Sequence, residues 1–102
     1  MQESANLTDY YAKRAAEYEH IYNKPERQAD FKKLHFRIAN AFRGMDVLEI
    51  ACGTGYWTQF LAQSANSIDA VDYSAEVLEI AKSKDYGNCS LQFIQDDAYQ
   101  LS

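Results

Sequence analysis

Glu49, Gly53, Gly55, Asp72 and Asp97 are the residues of this 102-residue chain whose types and spacing suit them to hold a ligand. The run Glu49-Ile50-Ala51-Cys52-Gly53-Thr54-Gly55 places one acid near the end of a short apolar segment and follows it with small residues and two glycines. Glycine without a Cβ takes positive φ and lets a ligand approach the backbone closely. Asp72 lies 17 positions after Gly55, near the spacing at which an acid at the end of a second strand meets a ribose. A carboxylate suits that task because it only accepts, so two vicinal hydroxyls can donate to its two oxygens. Two phosphate-binding patterns fail. Thr58 stands where the dinucleotide fingerprint needs a third glycine, and no Lys-Ser or Lys-Thr pair follows the glycines as a P-loop requires. A carboxylate inside an otherwise apolar strand is uncommon unless paired, so Glu49 reads as a group with a partner; the alternative is an ordinary strand residue with a solvated side chain.

The elements that must position these residues follow from periodicity. Residues 47–50 are strand-like and run into the glycine turn, and from Tyr56 the pattern becomes helical, with Trp57, Phe60, Leu61 and Ser64 on one face to about Ala65. Residues 67–72 read as a second strand. Ser74 caps a further helix with Glu76 in its first turn and Val77, Leu78 and Ala81 on its buried side, and Tyr86-Gly87-Asn88 stops it. Leu91-Gln92-Phe93-Ile94 is a third strand running into Gln95-Asp96-Asp97-Ala98. Upstream, residues 7–23 are helix-prone, with Thr8 or Asp9 as cap and Leu7, Tyr11, Ala15, Tyr18 and Tyr22 at three- and four-residue steps. Pro25 separates this helix from a second, whose predicted buried stripe is Phe31, Leu34, Ile38 and Phe42, with Gly44 ending it.

The strand, turn and helix around Glu49 to Gly55 resemble motif I of the class I S-adenosylmethionine-dependent methyltransferases. The family usually has Gly where this chain has Ala51. The resemblance implies that Ala51, Gly53 and Gly55 line the cofactor, that Glu49 faces its cationic amino-acid end, and that Asp72, with Tyr73 beside it, receives the ribose. The run at Asp97-Ala98 is similar to the family's adenine site, with Asp96 where Gly is frequent; a solvated loop is the competing reading. The segment Tyr10 to Tyr18 is similar to a helix that lies over the cofactor in several small-molecule methyltransferases, which would bring Tyr11, Arg14 and Tyr18 to the methionine carboxylate; a tyrosine stripe that merely packs competes with it. The cofactor implied is S-adenosylmethionine, or S-adenosylhomocysteine as product. No catalytic base can be named.

Net charge of −5 argues against a nucleic-acid partner, although residues 24–43 carry Lys24, Arg27, Lys32, Lys33, Arg37 and Arg43 against Glu26 and Asp30. That basic stretch reads as a solvated helix face, with a docking patch as the alternative. Cys52 and Cys89 read as free thiols, and neither Cys nor His spacing suggests a metal. The polar amino terminus and the lack of a long apolar run predict a cytoplasmic protein with no membrane partner. The expectation is one α/β domain over residues 1–102: a partial Rossmann-like, doubly wound parallel sheet of order 3-2-1 preceded by two helices and truncated after the third strand. The expected function is the cofactor-binding half of a methyltransferase acting on a small-molecule substrate. A non-catalytic cofactor-binding remnant and, behind it, an NAD-binding oxidoreductase domain are the alternatives. An open sheet edge and face further predict a homo-oligomer.

Overall fold

The computed structural model describes residues 2–96, so Asp97 and Ala98 lie outside the described residues. Helix α1 (Gln2–Glu19) passes through two 3-10 turns, His20–Asn23 and Pro25–Arg27, into α2 (Gln28–Ala41). Then follow β1 (Asp46–Ile50), α3 (Thr58–Leu61), β2 (Ser67–Asp72), α4 (Ala75–Lys82) and β3 (Ser90–Gln95). The three strands are parallel in the order β1-β2-β3, with Val47 opposite Ile68 and Ile68 opposite Leu91. This is the expected α/β topology.

Alternation along the strands decides which face is covered. Val47, Ile68, Ala70, Leu91 and Phe93 meet Ile38 of α2, Phe42 at its C-cap, Leu61 of α3 and Leu78 of α4 in one core. Helices α2, α3 and α4 therefore pack on one face of the sheet. On the other face Leu48 and Ile50 remain 58% and 49% exposed, while Val71 is buried between its register partners Ile50 and Ile94. Among the described residues β1 pairs with β2 alone.

Three local expectations are corrected. The first helix begins at Gln2, before the anticipated caps Thr8 and Asp9, and its last residues tighten into a 3-10 turn. Helix α2 turns His35 inward and leaves Leu34 exposed, so the buried stripe runs Phe31, His35, Ile38, Ala39, Phe42. His35 is accepted there because its ring stacks on Phe60 at 4.0 Å and its Nε2 lies 2.8 Å from the Tyr56 hydroxyl. Burial lowers its pKa from the ordinary value. Finally, α3 is a single turn instead of reaching Ala65. Ser64 is drawn out of the helix: its carbonyl accepts from Gly44 N at 2.8 Å, and its hydroxyl donates to the Ala39 carbonyl. Gln63 and Ser64 consequently bond to the third residue back.

The turn between β1 and α3 is unusual in its backbone. Ala51, Gly53 and Gly55 all have positive φ, at 59°, 59° and 83°. Gly55 is required twice over, since a Cβ there would sit 2.1 Å from the Tyr86 hydroxyl, which itself donates to the Ala81 carbonyl at 2.6 Å. Ala51 bears the left-handed conformation with a Cβ, at a cost of about 1–2 kcal/mol. Opposite outcomes are expected from two substitutions at this turn. Gly55→Ala should lose at least about 2 kcal/mol by adding that strain to a clash, and Ala51→Gly should gain roughly 1 kcal/mol by removing it, less the entropy of a more flexible unfolded chain. Urea denaturation measures both; equal stability of Gly55→Ala and wild type would contradict the placement of Tyr86.

Candidate functional site

The C-terminal ends of β1 and β2 bring the predicted residues together. Asp72, the last residue of β2, reaches across to the turn after β1: its Oδ2 accepts from Gly53 N at 2.8 Å, and its Oδ1 accepts from Ser74 N at 3.0 Å. Each oxygen thus takes one backbone N–H. A carboxylate has about four acceptor positions, so both oxygens keep capacity for further donors. Beside it, the position a Cβ would take on Gly53 has nothing within 4 Å. The turn therefore offers bare backbone next to a half-satisfied carboxylate. Tyr73 follows, 75% exposed, with its carbonyl accepting from Gln95 Nε2 at 3.2 Å.

Glu49 has a partner, and it is a protein one. Its Oε1 accepts from the Thr58 hydroxyl at 2.5 Å, beneath the turn and at the start of α3, where Thr58 is fully buried. Burial raises the Glu49 carboxyl above its ordinary value, and the Thr58 hydrogen bond partly opposes this. Cys52 lies in the same place, buried, with its thiol pushed up to about 12 by burial and then by the charges of Glu49 and Asp72. It is a packed thiol and no nucleophile.

The predicted α1 residues bond to one another and to α4. Arg14 donates to Glu76 of α4 and to Glu17, and its guanidinium lies 5.1 Å from the ring centre of Tyr18, which is exposed. Tyr11 is half-buried, edge-on to Tyr10 at 5.5 Å. Helix α1 and the segment after it touch the turn through Glu19 and Tyr22. Glu19 Oε2 accepts from the Thr54 hydroxyl and from Lys84 Nζ, and the Tyr22 ring stacks on Tyr56 at 4.0 Å. Sequence reasoning missed Glu19, Thr54, Thr58 and Lys84. Thr58 carried a signal, being a β-branched hydroxyl residue on an apolar helix face below a strand acid. Glu19 and Lys84 carried none, for they are 65 residues apart and look like surface charges.

Comparison with known proteins identifies the family of the fold. Residues 47–102 match the family model described as a methyltransferase domain. The chain is 32% identical over 62 residues to demethylmenaquinone methyltransferase of Staphylococcus aureus, covering 58% of this chain and 26% of that protein. It is 42% identical over 57 residues to malonyl-[acyl-carrier protein] O-methyltransferase of Halalkalibacterium halodurans, covering 54% and 21%. Against the solved DhpI-SAM-HEP complex it superposes with a TM-score of 0.65 and 36% identity, covering 92% of this chain and 42% of that one. The chain spans about a quarter of the length of these two curated relatives. It belongs to the methyltransferase domain family and, within it, to the class I S-adenosylmethionine-dependent methyltransferases.

Proposed function

We propose that this chain binds S-adenosylmethionine, and S-adenosylhomocysteine as product, as the cofactor-binding part of a methyltransferase with a small-molecule acceptor. The observation that carries the reading is the Asp72 carboxylate, held by Gly53 N and Ser74 N with acceptor capacity to spare, beside the open face of Gly53. Those groups fit a ribose diol against bare backbone. When bound, the cofactor supplies a methyl group activated by its own sulfonium charge, so that orientation is the protein's main contribution. Gly53, Gly55 and Ala51 shape the turn, Asp72 receives the hydroxyls, and exposed Tyr73 flanks them. Glu49 places negative charge beneath the turn, where it favours a cationic ligand end. Arg14, with Tyr11 and Tyr18, is assigned to the carboxylate end, a role in which it would exchange Glu76 for the ligand. Asp97 and Ala98 are assigned to the adenine. The menaquinone-precursor and malonyl-carrier methyltransferases to which the chain is similar support a small acceptor. The two free thiols suit a cytoplasmic setting.

The open edge of β1 and the exposed Leu48 and Ile50 are assigned to a second copy of the chain. Pairing β1 with its symmetry mate would continue the sheet, and a stable contact buries at least about 1,000 Å² in total.

Three outcomes are expected. Calorimetry with S-adenosylhomocysteine should show binding that Asp72→Ala weakens by roughly 10- to 100-fold, the range for hydrogen bonds to a charged group; unchanged affinity in folded Asp72→Ala, or tighter binding of NAD by wild type, would overturn the assignment. Glu49→Gln should be more stable than wild type at neutral pH. An acid whose pKa is raised by folding adds stability below its unfolded value and loses it as pH rises through the folded value, and the neutral amide escapes that loss. The same variant should bind S-adenosylhomocysteine more weakly; reduced stability at neutral pH would mean that the Thr58 hydrogen bond outweighs burial. Sedimentation should find a dimer at micromolar concentration, and a compact monomer would reject the second-copy assignment.

A further inference from the structure

The glycine turn has a conformation that its own residues do little to hold. Three of its five residues are left-handed, one of them an alanine, and such strain persists only where surrounding structure over-determines it. Backbone contacts supply part of that: Cys52 N donates to the Val71 carbonyl at 3.0 Å, and Gly55 N to the Cys52 carbonyl at 3.1 Å. Between the two glycines there is a single side chain, Thr54, and it is buried. Its hydroxyl donates to Glu19 Oε2, and the same oxygen accepts from Lys84 Nζ. The side chains of Glu19 and Lys84 are only 16% and 15% exposed. One carboxylate oxygen thus joins the last residue of α1, the middle of the turn and the chain leaving α4.

We infer that Glu19 is a positioning residue for the cofactor turn: anchored by Lys84, its carboxylate grips Thr54 and so keeps the backbone of Gly53 and Gly55 in the shape that receives the cofactor. The inference rests on the cofactor reading above. Threonine suits the task because its branched Cβ leaves χ1 stiff, so a fixed hydroxyl fixes the backbone that bears it. Lys84 keeps the carboxylate from standing half-buried with a neutral partner only. Arg14, also in an ion pair, bonds instead to Glu76 of α4 and to Glu17 of its own helix.

The test uses the full chain and S-adenosylhomocysteine as probe, with affinity from calorimetry and stability from thermal melting. Glu19→Ala and Thr54→Val should each weaken binding about tenfold, and the double variant should be no weaker than the worse single one, because both remove the same contact. Glu19→Gln keeps an oxygen that accepts from Thr54 and should stay within about threefold of wild type. A purely structural role would lower the melting temperature and leave the affinity of the folded protein unchanged; that result, or losses that add in the double variant, would overturn the inference. If Glu19→Ala does not fold, Thr54→Val preserves side-chain shape, and unchanged binding by it is equally decisive against. Wild type that binds no S-adenosylhomocysteine would overturn the cofactor reading and this inference with it, whereas binding by wild type and variants alike would overturn this inference alone.

Discussion

The contact on which the structure depends is the one from Asp72 Oδ2 to Gly53 N. A parallel sheet brings the ends of β1 and β2 side by side, and β1 must then turn into α3 within seven residues, Ala51 to Trp57. A turn so short needs left-handed residues, and left-handed residues point successive N–H groups away from any ladder. Without an acceptor, such a donor costs about 1–3 kcal/mol when buried. The Asp72 carboxylate supplies the acceptor from the neighbouring strand end. The same carboxylate caps the next connection through Ser74 N, so the geometry of two successive loops is tied to a single side chain.

Around that contact, acids hold the turn from three directions. Glu49 holds Thr58 from below, Asp72 holds Gly53 from the side, and Glu19 holds Thr54 from above the helices. Collecting acids is unfavourable unless each has donors, and here each has at least one hydroxyl, amide or ammonium. Burial chiefly raises the Cys52 thiol and the Tyr86 hydroxyl, with Glu49 and Asp72 adding to the first and Cys52, Glu49 and Glu19 to the second. A cation entering this region meets a potential already set in its favour.

Much of this was legible in the residues. Gly53, Gly55 and Asp72 stood out because glycine spacing and a strand-end acid answer a local backbone demand, which leaves its mark within a few positions. Strand order followed from the connections, since residues 51–66 and 73–89 are each long enough to cross between parallel neighbours. The errors share a cause in tertiary competition. Ser64 looked like a helix residue until the end of α2 claimed its carbonyl and hydroxyl. Leu34 looked buried by spacing, but His35 fills the place against Phe60 and Tyr56 because a flat ring with one polar edge matches that aromatic cluster better than a branched aliphatic chain. Glu19 and Lys84 depend on a contact across 65 residues, which no local pattern records.

Among the described residues, α1 is joined to α4 by Arg14–Glu76 and to the chain leaving α4 by Glu19–Lys84, and the two ion pairs differ in exposure. Arg14 to Glu76 joins side chains that are 29% and 51% exposed, so water and salt compete for both partners. Glu19 to Lys84 is less accessible and shares its oxygen with the buried Thr54, so its separation would leave charge half-buried without a counter-charge. Immediately after it, Tyr22 stacks on Tyr56 and meets Phe31 and Trp57 edge-on, adding aromatic contact area at the same end of the helix. Restraint therefore accumulates at the end of α1 beside the turn. The less exposed ion pair and the aromatic cluster thus fix the end of α1 against the turn, so that a displaced Glu19 would carry Thr54 with it.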